Sequence, residues 1–241
     1  MSVSEDQELK RQGNVYFAQK EYQQALEKFT LAIAVAPEEA QAVLYSNRSA
    51  AYAQLEDFKN ALADGKRAVE LKPKWAKGHN RVAMALFGLN RLPQAAVEKK
   101  YEGNIYFADK AYKEAIVAFS EGIEMDKNNH VLYSNRSAAY LSVRSYQLAL
   151  NDAKQAITIT PSFTKAHRRA ISASLSLGSF DEAEQFIDSG VGVVSAPDQL
   201  TSMRAEIEGA RAQAGKNIVS LFGADLLQGP YTHLDIYVIF N

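Results

Sequence analysis

VLYSNRSAAY, residues 43–52, recurs unchanged at residues 131–140, so the chain contains a copy of part of itself. Such self-similarity has to be read before any single element, because it sets the architecture. Around the two copies an aromatic residue or Leu is followed three places later by Ala, at Tyr22/Ala25, Phe58/Ala61, Leu92/Ala95, Tyr112/Ala115, Tyr146/Ala149 and Phe180/Ala183. The steps between successive pairs are 36, 34, 20, 34 and 34 residues. The logic is packing: a small residue lets two antiparallel helices approach, a ring fills the space above it, and a proline such as Pro37, Pro73 or Pro161 stops the second helix.

A period near 34 built from two amphipathic helices is the tetratricopeptide pattern. It predicts an all-α fold, a tetratricopeptide-repeat (TPR) superhelix, or α-solenoid, of antiparallel helix pairs. Helices are expected over 4–18, 22–35, 38–54, 57–71, 74–88, 92–108, 111–125, 128–142, 145–159, 162–177 and 180–190, with another over 197–213. The step of 20 is one helix short of the period, so two three-repeat units share or miss one helix near 92–108. LPQAA (92–96) closes the third repeat there and EKKYEGNIYF (98–107) opens the fourth. Consecutive helices alternate in direction, so this exchanges the A and B rows and is expected to turn the two grooves toward different sides. The expected divisions are a first clamp unit over 1–91, a second over 92–190, and a C-terminal capping helix with a tail over 191–241. Within that tail KNIVSLFGADLLQGP (216–230) and HLDIYVIFN (233–241) are apolar, β-prone and fit no repeat.

The 27 basic and 28 acidic side chains leave a formal charge of -1, so no global field draws nucleic acid or an anionic membrane. There is no Cys, which excludes disulfides and thiolate chemistry. No secretory leader and no apolar run of about 20 residues is read, and a cytoplasmic protein without a membrane span is expected. His79, His130, His167 and His233 are scattered without ligand spacing, and no phosphate loop, dinucleotide fingerprint or nucleophile elbow occurs. The chain is therefore expected to be no enzyme and to hold no cofactor and no metal.

Some residues break the rules of a stable helix. Lys10 and Asn14 stand four apart on the first helix, Lys77 and Arg81 repeat that spacing on the fifth, and Asn47 lies on the third. Like charges at this spacing cost about 0.2–0.5 kcal/mol, and Asn is a poor mid-helix residue. The three helices are the A helices of successive repeats and line one groove, so five side chains converge that offer only positive charge and amides. That set suits a pair of neighbouring carboxylates, such as a chain terminus ending in Asp.

Through ELKRQGN (8–14), YSNRSAAY (45–52) and KPKWAKGHNR (72–81) the chain resembles the TPR co-chaperones with a carboxylate clamp, and most closely the chaperone-organising, stress-inducible family. The resemblance covers about residues 6–190. It implies a co-chaperone or adaptor that holds the last Asp of the Glu-Glu-Val-Asp tails of heat-shock protein 70 and/or heat-shock protein 90. Lys10, Asn14, Asn47, Lys77 and Arg81 match that clamp. A second match runs through EKKYEGN (98–104), YSNRSAAY (133–140) and PSFTKAHRR (161–169), and implies a second clamp of Lys100, Asn104, Asn135, Lys165 and Arg169. The third repeat unit and Asp-Pro-rich modules of the organising proteins are not found in this sequence. Two other readings are a chaperone-linked scaffold for assembling complexes, which shares the clamp, and a helical-repeat RNA binder. The balanced charge, and clamp residues that do not recur in every repeat, weigh against RNA.

Overall fold

The computed structural model describes residues 4–222, without the side chains of 217–222. Among them the chain is helical: α1 Glu5–Ala18, α2 Tyr22–Val35, α3 Glu38–Gln54, α4 Phe58–Leu71, α5 Ala76–Gly88, α6 Leu92–Ala108, α7 Tyr112–Met125, α8 His130–Ser142, α9 Tyr146–Ile159, α10 Thr164–Ser176, α11 Phe180–Val191, α12 Asp198–Thr201 and α13 Arg204–Phe222. Through α11 each end lies within two residues of its expected place. The helix expected over 197–213 is divided by a turn at Ser202 and Met203, and α13 runs on to Phe222. Of the apolar tail, 223–241 lies outside the described residues. The chain forms two compact units, one up to Ser145 and one from Tyr146.

In the first unit the repeat logic is visible atom by atom. Phe29 is buried over Gly13, where an added methyl group would lie 2.5 Å from the ring's Cε1. Phe119 covers Gly103 in the same way. Ala25, Ala61, Ala95 and Ala115 are fully buried, the small residues of the expected pairs.

The turns record which helix is first in a pair. Lys20, Glu56, Asn90, Lys110 and Arg144 have φ between 56° and 64°, the left-handed region. Each ends its helix with an amide from the next residue donating five residues back, as Glu21 does to Tyr16 at 2.9 Å and Ala111 to Tyr106 at 2.9 Å. This is the Schellman ending of a helix. The turns from α2 to α3, α4 to α5 and α7 to α8 lack such a residue. The pattern therefore marks the step from first to second helix of a repeat, and it occurs on both sides of α6, at Asn90 and at Lys110. α6 is the second helix to α5 and the first to α7. Next-nearest contacts agree: they join α1 to α3 and α3 to α5, then α6 to α8. The row of first helices thus passes from odd to even members at α6.

In the second unit Ile171 on α10 and Ala183 and Ile187 on α11 bury Leu200, Met203 and Ile207 from α12, the turn and α13. Arg204 pairs with Asp188, and Arg211 with Asp181 at 2.7 Å, which seats α13 on α11.

Candidate carboxylate-binding site

α3 packs against α1 on one side and against α5 on the other. The Asn47 side-chain amide donates to Asn14 Oδ1 at 3.1 Å, tying α3 to α1. Lys77 and Arg81 stand one turn apart on α5. Burial chiefly, then the neighbouring Arg81 charge, lowers the proton affinity of Lys77. Burial likewise lowers that of Arg81, whose Nε is shut off from solvent without a hydrogen-bond partner. Among the described residues neither these two cations nor Lys10 forms an ion pair. A half-buried guanidinium without a bound carboxylate, next to an exposed lysine, is a poor arrangement for stability and a ready one for an incoming anion.

The second set repeats this in part. Asn135 on α8 donates to Asn104 Oδ1 on α6 at 2.9 Å, and Lys100 stands over the Tyr101 ring at 5.0 Å. Lys165 and Arg169 lie on α10, in the second unit, where burial and then Arg168 lower the proton affinity of Arg169. The two sets share one pattern of exposure: both lysines of α5 and α10 are exposed, both arginines half-buried, and Asn14 and Asn104 more exposed than Asn47 and Asn135.

Sequence reasoning missed a polar cluster beside the first set. Lys99 on α6 is buried and its Nζ meets Glu102 Oε2 at 2.8 Å and a carboxylate oxygen of Glu121 on α7. Glu102, also buried, accepts from Asn80 Nδ2 on α5 at 3.1 and 3.2 Å. The signal was present: Lys99 occupies, seven residues after Leu92, the position that Phe29 and Phe119 hold after Tyr22 and Tyr112. His79 is a packing residue, its ring nitrogens 2.9 Å from the Pro73 carbonyl and 2.7 Å from the Glu98 carboxylate.

Residues 42–74 match the family model described as Tetratricopeptide repeat. The chain is built of tetratricopeptide repeats. Over 116 residues it is 43% identical to the heat shock protein STI1 of Saccharomyces cerevisiae, an alignment covering 48% of this chain and 19% of that protein. The chain therefore spans about a fifth of the length of this curated relative. The second TPR domain of human RPAP3, solved with the HSP70 peptide SGPTIEEVD, is 32% identical over 47% of this chain and 94% of that one, with a TM-score of 0.45. The first TPR of Spaghetti (RPAP3), bound to the HSP90 peptide SRMEEVD, is 30% identical over 50% and 95%, with a TM-score of 0.47. Among the described residues no helix of the repeats is long and apolar enough to cross a membrane.

Proposed function

We propose that the chain is a cytoplasmic co-chaperone or adaptor that binds the acidic C-terminal tails of heat-shock protein 70 and/or 90, and that it acts by binding rather than catalysis. In this reading Lys10, Asn14, Asn47, Lys77 and Arg81 form a clamp on the terminal carboxylate and the side chain of the last Asp. The observation that carries it is the pair Lys77 and Arg81, two cations one turn apart that have no ion-pair partner among the described residues, with a buried, unsatisfied guanidinium Nε, on a helix that packs on α3, whose Asn47 is joined to Asn14. A dianionic peptide end supplies acceptors for all of these donors at once, through charge-assisted hydrogen bonds. The name of the yeast relative, a heat shock protein, points the same way. On sequence spacing the proposal extends to a second clamp of Lys100, Asn104, Asn135, Lys165 and Arg169, with the clamp units at 1–91 and 92–190.

Calorimetric titration with SGPTIEEVD and SRMEEVD tests it, each as the free acid and with its C-terminus amidated. Free acids are expected to bind and amides to bind far more weakly. Lys77→Ala and Lys165→Ala, made separately, are each expected to remove about 1.5–3 kcal/mol at one site. Binding indifferent to amidation would refute the clamp.

A further inference from the structure

The residue that follows the first lysine differs between the two sets. After Lys10 comes Arg11, which reaches back one turn and donates to both oxygens of Glu8 at 2.9 and 2.7 Å. Lys10 itself stands over no ring among the described residues. After Lys100 comes Tyr101, and Lys100 Nζ lies 5.0 Å from the centroid of its ring, inside the distance at which a ring face attracts an ammonium. That ring is held in turn. His79 of α5 packs against it, centroid to centroid 5.6 Å, with 33° between the planes. His79 is buried, and its ring nitrogens stand 2.9 Å from the Pro73 carbonyl and 2.7 Å from the Glu98 carboxylate. A buried imidazole fixed at both nitrogens thus braces a ring that is 47% exposed, and the ring carries an ammonium. Asn104, whose oxygen accepts from Asn135 at 2.9 Å, is three residues beyond Tyr101 and four beyond Lys100, so the three share one patch of the α6 surface.

We propose that Tyr101 is a positioning residue for the second clamp: it holds the Lys100 ammonium over its ring, on the patch that carries the joined amides of Asn104 and Asn135, before a tail arrives. The proposal rests on the second-clamp reading above. A free lysine gives up much of its rotamer freedom when it grips a carboxylate, and one already held gives up less. A ring face attracts the charge without using up the three N–H donors, so Lys100 keeps them for a carboxylate. Lys10 has no such support, since Arg11 is engaged by Glu8, and the two clamps therefore differ in how much order binding has to create. What the role needs is a ring and not a hydroxyl, so Tyr101→Phe keeps it and Tyr101→Leu loses it.

The test is titration of the full chain carrying Lys77→Ala, which weakens the first clamp, with SGPTIEEVD and SRMEEVD as free acids. In that background Tyr101→Leu is expected to bind about threefold more weakly, the size of a cation–ring contact at a partly exposed site, and the conservative Tyr101→Phe to recover the loss. With Lys100→Ala added, Tyr101→Leu is expected to change nothing further. A loss that persists without Lys100 overturns the proposal, because the ring would then act on the peptide or the fold directly. Tyr101→Leu as tight as its parent, or Tyr101→Phe as weak as Tyr101→Leu, overturns it as well. Proton NMR of the unliganded wild type reads the contact without any variant: the ε-methylene protons of Lys100 are expected upfield of those of Lys10, shielded by the ring, and equal shifts overturn the proposal. A Lys77→Ala chain that binds neither peptide removes the second clamp and this proposal together; one that binds, with variants that fail these signs, removes only the role of Tyr101.

Discussion

The side-chain amide of Asn47 on α3 donates to the amide oxygen of Asn14 on α1 over 3.1 Å. The bond decides what each amide has left. Asn14 spends its oxygen and keeps both N–H donors, and Asn47 spends one donor and keeps the other. Three N–H groups are thereby left over from one fixed pair.

From this arrangement, Asn47→Asp is expected to weaken binding of a free-acid tail peptide by about 1.5–3 kcal/mol, since a donor is replaced by a carboxylate that repels the ligand. Thermal stability is expected to change little, because Asn47 is half-buried and its loss strands only the exposed Asn14. Calorimetry on the folded variant checks this, and unchanged affinity would count against a role for the amide pair.

The Lys99 cluster makes a stability prediction. Lys99→Ala leaves Glu102 buried with Asn80 alone, and removing one member of a buried ion pair costs about 3–5 kcal/mol. The double change Lys99→Phe with Glu102→Ala restores the ring and small residue found in α2, and is expected to recover most of that loss. Urea unfolding of the two variants reads both numbers. A double variant as unstable as Lys99→Ala would mean that α6 has no room for a ring.

His79 predicts a pH dependence. Both ring nitrogens stand within hydrogen-bond distance of an oxygen, and the doubly protonated ring is the form that can donate to both. The Glu98 carboxylate is the main cause that raises its pKa above the ordinary 6.5, with burial opposing. A raised value in the folded state means that the stabilisation is whole below the unfolded pKa and is lost as pH rises through the folded one. The window therefore lies above the ordinary histidine pKa. Melting temperature is expected to fall as pH rises above the ordinary histidine range, and more steeply in the wild type than in Glu98→Gln. Parallel curves for the two proteins would contradict it.

Lys110, at φ 60°, predicts a gain. A left-handed conformation costs an L residue about 1–2 kcal/mol, which glycine avoids while losing part of that through its freer unfolded state. Lys110→Gly is expected to stabilise by about 0.5–1 kcal/mol, and Asn90→Gly by less, because Asn tolerates this region better. Thermal or urea unfolding measures both, and a destabilised Lys110→Gly would show that the exposed lysine makes a contact of its own.

The repeated decapeptide and the step of 34 determined by themselves that the chain is a helical repeat and where eleven helices begin and end, and the one step of 20 that a helix is shared or missing near 92–108. These follow from local chemistry: Pro stops, the turn after each first helix, and a ring placed against a small residue all lie within one period. The spacing also singled out Asn14 with Asn47 and Asn104 with Asn135, pairs that the fold joins. Only the tertiary structure decided that α6 carries first-helix turns on both sides, that Lys99 and Glu102 are interior, and that Arg81 is partly desolvated. Burial and the field at a charge depend on which helices close around it, and a linear order of residues does not contain that neighbourhood.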